Sequence, residues 1–72
     1  MKYDYSKLRG RIKEKLGNES KYAESLELSK PSVSAKLNSI VPFSLKEMDD
    51  TILLLEIPTE EIYEYFFTKK VE

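Results

Sequence analysis

Apolar residues recur along this chain at the three- and four-residue spacings of helices, and residues that start or stop helices bracket each run. Leu8, Ile12 and Leu16 share one helical face, with Asp4 ahead of them as a cap and Gly17-Asn18 behind as a stop. Gly10 interrupts this first helix at a cost of up to ~1 kcal/mol relative to alanine, and close packing is the expected reason. A second, short helix is expected from about Glu19 to Leu26, capped by Asn18 or Ser20, with Tyr22, Ala23 and Leu26 inward. Ser29 caps a third helix. Pro31 falls in its first turn, where a missing N–H costs nothing, and Val33 and Leu37 form its buried stripe.

The fourth helix has the clearest start. Ser44-Leu45-Lys46-Glu47 is a capping box, and Phe43 and Met48 stand at the two positions of a hydrophobic staple. Its inner face reads Leu45, Met48, Ile52 and Leu55. Pro58-Thr59 opens a last helical segment with Ile62 and Phe66, and the ending "FFTKKV" fits either a fraying helix or an extended strand. The pattern predicts an all-α fold, a five-helix bundle in one domain over residues 1–72. Its core is expected to hold Leu8, Ile12, Ala23, Leu26, Val33, Leu37, Met48, Ile52 and Leu55.

Composition narrows the chemistry. A chain of 72 residues buries only about 60% of the surface its unfolded form exposes, so its stability is expected to be marginal. It contains neither Cys nor His, which removes disulfides, the commonest metal ligands and any Ser-His or Cys-His nucleophile system. Its two glycines, Gly10 and Gly17, make no phosphate-binding loop. Asp49-Asp50 point about 100° apart on a helix and read as a solvated face. No enzyme activity, cofactor, metal or small-molecule substrate is expected. Without a membrane-spanning run or a signal-peptide core, the protein is expected in the cytoplasm. The net charge of −1 hides a division. Residues 1–36 hold nine Lys/Arg against five Asp/Glu, and residues 37–72 hold three against eight. The front half suits phosphate and the back half suits a basic surface.

Ala23, Leu28 and Val33 are five residues apart, the spacing of the buried positions of a helix-turn-helix. A small alanine lets the helices approach, and the other two pin the turn and the second helix. In that arrangement Lys30, Ser32, Ser34, Ala35, Lys36 and Asn38 face outward. Asn can bond adenine bidentately, Lys contacts guanine or phosphate, and Ser is short and unselective. The plainer reading is a solvent-facing helix. Glu27 stands where a glycine often supplies positive φ, at a cost of roughly 1–2 kcal/mol for a side chain with Cβ. It also places a negative charge near any DNA backbone.

The phrases "YDYSKLRGRI", "SLELSKPSVSAKLN", "VPFSLKEM" and "IPTEEIYEYFF" together resemble a family of temperate-phage regulators. These are Cro-like helix-turn-helix proteins, here most like the modulator-of-repression type of antirepressor. The resemblance spans nearly the whole chain. It implies a five-helix fold, a role opposite a repressor in the lysis–lysogeny switch, and a recognition helix from Ser29 to Asn38. The residues add the kind of partner to expect. "EEIYEYFF" interleaves aromatics with carboxylates, and one helix hides only one face. Glu60, Glu61, Tyr63, Glu64, Tyr65 and Phe67 therefore form a candidate partner surface, complementary to the basic DNA-reading face of a phage repressor. The expected function is repressor binding that blocks or modifies its hold on operator DNA, with weak DNA binding of its own. A Cro-like operator binder acting alone and a protein-only adaptor are the alternatives.

Overall fold

Three helices open on the side chains that the pattern assigns to them. The Asn18 side chain accepts from the Lys21 N–H (2.9 Å), and the Ser29 hydroxyl accepts from the Ser32 N–H (3.2 Å). The Ser44 hydroxyl accepts from the Glu47 N–H (3.1 Å), while the Glu47 carboxylate accepts from the Ser44 N–H (2.9 Å), a complete capping box. A computed structural model of the chain describes residues 2–71. Its helices are α1 (Ser6–Leu16), α2 (Glu19–Ser25), α3 (Lys30–Leu37), α4 (Leu45–Leu54) and α5 (Ile62–Phe66), the last entered through a 3₁₀ turn at Thr59–Glu61. The fold is all-α, as the pattern predicts. Asp4 is displaced by one position: Tyr5 is the residue at the cap of α1, and the Asp4 carboxylate accepts instead from the Ser6 N–H (2.8 Å).

Helix ends are less conventional. After α2, α3 and α4 the chain takes a left-handed residue that is not glycine: Glu27 (φ 58°), Ser39 (φ 59°) and Glu56 (φ 53°). Each forms a Schellman turn. Leu28, Ile40 and Ile57 donate back to the carbonyls of Ala23 (2.9 Å), Ala35 (2.9 Å) and Ile52 (3.0 Å). The turn at Glu27 therefore takes the strained geometry itself. At the end of α4, the Arg11 guanidinium reaches across from α1 to the carbonyls of Leu55 and Glu56, both at 3.0 Å. A cation there satisfies orphan carbonyls and favours the negative end of the helix dipole.

α1 lies against α2 and α5, and α2 against α3. Leu8, Ile12, Ala23, Val33, Leu37 and Leu55 are buried as expected; Leu26, Met48 and Ile52 are partly buried against them. Tyr5, Tyr22, Phe43, Ile57, Tyr65 and Phe66 complete the core. Tyr5, Phe43 and Phe66 meet edge to face in series, at centroid distances of 5.2 and 5.6 Å. Leu45 does not join the inner face of α4: as its first residue it is 84% exposed, and Thr51 is buried in the stripe instead. The Thr51 hydroxyl donates to the Glu47 carbonyl (2.7 Å), so the buried Tyr22 phenol donates to Thr51 (2.6 Å). Burial pushes the Tyr22 phenol up to about 12. Gly10 is not a site of close packing, since a Cβ there would meet nothing within 4 Å.

The last segment neither continues the helix nor builds a sheet. Among the described residues one antiparallel bridge, Tyr3 with Lys69, pairs the chain ends, flanked by Asp4 N–H to the Thr68 carbonyl (2.7 Å) and Lys70 N–H to the Lys2 carbonyl (3.1 Å).

Candidate functional site

α2 and α3 are joined through residues 26–29, with Ala23 and Val33 buried between them and Leu28 partly buried under the turn. This leaves one side of α3 to solvent. Ser29, Lys30, Ser32, Ser34 and Asn38 are exposed there, and Ala35 is half-buried. Ser29 donates to the Ser32 hydroxyl (2.8 Å) while capping the helix, so the two serines form one polar unit at its start. Asn38, at the other end, is held from both sides. Its side-chain oxygen accepts from Arg9 (2.9 Å) and its amide nitrogen donates to Ser34 (3.3 Å). Arg9 is itself anchored by Glu19 (2.8 Å). The asparagine is presented in a fixed orientation, and a base bonding both ends of its amide would have to replace both contacts.

Lys36 is not one of the outward residues. It is buried, donating to the Pro42 carbonyl (3.2 Å) and pairing with Glu47 (2.9 Å). Its long apolar stem covers the core while the ammonium reaches the capping box of α4. Burial alone would raise the Glu47 carboxyl, but the Ser44 N–H and the Lys36 ammonium together hold it below its ordinary value. Lys36 thus ties α3 to α4.

The C-terminal surface also sorts its residues. Tyr65 is buried, its ring beneath the Lys7 ammonium at 4.7 Å, and belongs to the core rather than to a free surface. Tyr63, two residues earlier, is 67% exposed. It packs on Phe67 at 5.5 Å between centroids, and Phe67 meets Tyr3 edge-on at 6.0 Å. Glu60 is exposed and pairs with no cation among the described residues. Glu61 (3.5 Å) and Glu64 both pair with Lys7. The Glu64 carboxylate beside it holds the Lys7 ammonium above the usual lysine value.

Two contributors were hidden in the sequence. Tyr3 extends the aromatic surface, and Ile40, 69% exposed, borders a recess of about 420 Å³ that also involves Tyr3, Phe43 and Phe67. The doubled aromatic in "YDY" was the available signal for the first. Ile40 follows from the Schellman turn at Ser39, which spacing does not disclose.

Among curated proteins, none matches the chain. A family described as a protein of unknown function (DUF739) matches residues 1–69. The solution structure of the modulator of repression (MOR) of the temperate bacteriophage TP901-1 from Lactococcus lactis is similar over its whole length. It covers 100% of this chain and 97% of that one, with 40% sequence identity and a TM-score of 0.80. The likeness to a phage regulator implied by the sequence phrases therefore extends to the complete helical framework: the chain belongs to the DUF739 family and is a homologue of the TP901-1 modulator of repression.

Proposed function

We propose that this protein is an antirepressor of a phage genetic switch, which binds the partner repressor and blocks or modifies its hold on operator DNA. The observation that carries this reading is the exposed Tyr63 packed on Phe67, with Glu60, Glu61 and Glu64 next to it in the chain, on a full-length homologue of a modulator of repression. Aromatics concentrate binding energy when they seat in a partner's pocket, and carboxylates around them match a basic, DNA-reading face. A repressor engaged through that face cannot hold its operator.

A second reading, a Cro-like operator binder acting without a partner, draws on the exposed Lys30, Ser32 and Ser34 of α3. Weak DNA binding through α3 is compatible with the first reading. The two separate when the purified protein, its cognate repressor and labelled operator DNA are mixed singly and together. An antirepressor lowers repressor occupancy of the operator and forms a complex with the repressor in the absence of DNA. Unchanged repressor occupancy, with the protein itself shifting the operator, favours the Cro-like reading. No complex with either leaves an adaptor that acts on other proteins.

A further inference from the structure

We propose that the paired chain ends form a second, sequence-independent contact to DNA, a lysine patch that grips backbone phosphate beside the C-terminal end of α3. This rests on the reading of α3 as a DNA-facing helix and extends it to residues that the chain order places far from it.

Lys69 and Lys70 lie in the acidic half of the sequence, yet the Tyr3–Lys69 bridge and the Lys70–Lys2 hydrogen bond bring them back to Lys2. The Tyr3 N–H donates to the Ser39 hydroxyl (3.0 Å), which fixes this terminal ladder to the residue that follows the cap of α3. Lys2, Lys69 and Lys70 are all exposed, and none makes an ion pair among the described residues. Next to them Ser6, Arg9, Asn38 and Lys70 border a polar recess of about 190 Å³. Asp4 shares that recess, and Lys70 helps hold its carboxyl below the ordinary value, after the larger effect of its hydrogen bonds to Ser6. Arg9 is shared with Glu19. Among the described residues Asp4 is the acid that faces these lysines, with Lys2 and Lys70 neighbours on one face of the ladder and Lys69 beside Tyr3 on the other.

Geometry decides what such a patch meets. α3 has eight residues, a length of about 12 Å, close to the ~12 Å width of a major groove. A helix seated across the groove therefore puts its two ends near the two phosphate walls. Lys30 stands at one end, and Arg9 with the terminal lysines at the other. Contacts of this kind fix register and supply salt-dependent affinity but carry no base information.

The test is fluorescence anisotropy of a labelled mixed-sequence duplex against the full chain over a series of salt concentrations. The variants are Lys2→Gln, the double Lys69→Gln/Lys70→Gln, Lys46→Gln as a distant control paired with Asp50, and Lys30→Gln with Ser34→Asp on α3. Each terminal lysine in contact is expected to lower the slope of log affinity against log salt by about 0.9, and the Lys46 variant to leave it unchanged. A double variant with the parent's slope overturns the patch; if the α3 variant still weakens binding, the DNA-facing reading survives it. A parent that binds no duplex even at low salt overturns both. A slope lowered equally by Lys46→Gln also overturns the patch, because the effect is then one of net charge.

Discussion

Glu27 shows how far one position can be read from spacing. Three residues at five-residue intervals locate the turn between α2 and α3, and the structure places Glu27 in the left-handed region at φ 58°. Ser39 and Glu56 do the same work with no warning, because neither is a glycine and no comparable spacing marks them. Replacing Glu27 by glycine removes roughly 1–2 kcal/mol of backbone strain and adds some unfolded-chain entropy, so a net gain of about 0.5–1 kcal/mol is expected in urea unfolding. A loss would mean that the Glu27 side chain holds the turn. Gly10 offers a second gain. Its Cβ position is open, so Gly10→Ala is expected to add up to ~1 kcal/mol by the same measurement, whereas close packing would give a loss. Polar residues are where reading by type fails. Thr51 is fully buried because a backbone carbonyl and a tyrosine satisfy its hydroxyl, and Lys36 because Glu47 meets its charge. A hydrophobicity pattern marks both as surface.

The start of α4 joins local and tertiary structure in one side chain. Glu47 completes a capping box, which four residues of sequence disclose, and binds Lys36 of α3, which they do not. The two functions can be separated. Glu47→Gln keeps an acceptor for the Ser44 N–H but gives up the charge facing Lys36; Glu47→Ala gives up both. Ser44 still caps the helix in both variants, and the return bond to the Ser44 N–H is worth about 0.5–1.5 kcal/mol, so the alanine variant is expected to be the less stable of the two at neutral pH. The sign of the pH dependence follows from the lowered Glu47 value. A carboxyl held below its unfolded value contributes stability above pH 4.5, and that contribution fades as pH falls through the folded value. Urea unfolding from pH 7 down through this range is expected to show a smaller acid-induced loss in Glu47→Gln than in the parent. Equal losses in both proteins would remove this ion pair as a source of acid sensitivity.

The division of charge along the chain is partly cancelled by folding. Lys7 meets Glu61 and Glu64, Lys15 meets Glu56 (3.3 Å), and Lys36 meets Glu47, each pair joining the basic half to the acidic one. The acidic end is thus presented with a counter-ion already in place, which changes what a partner must do there. Under the proposed antirepressor function, a repressor's basic groups would have to displace Lys7 or settle for Glu60, and the aromatics would carry more of the affinity. Tyr63 and Tyr65 make this testable, since they stand two residues apart and differ in burial, 67% against 5% exposed. The interleaved aromatics disclosed that some would be free, but not which, because the 3₁₀ turn at Thr59–Glu61 sets the phase of a helix only five residues long. Tyr65→Ala opens the core and is expected to cost about 3–5 kcal/mol, a large share of the 5–15 kcal/mol typical of a domain. Tyr63→Ala is expected to leave unfolding within about 0.5 kcal/mol and to weaken repressor binding by about 2 kcal/mol, roughly thirtyfold. Lys7→Met is expected to work in the opposite direction, freeing two carboxylates so that association with the repressor becomes faster and more salt-sensitive. Stopped-flow association and calorimetry on the folded variants measure both effects. Unchanged affinity in Tyr63→Ala together with unchanged association in Lys7→Met would move the repressor interface off this end of the molecule, leaving the exposed side of α3 to meet it.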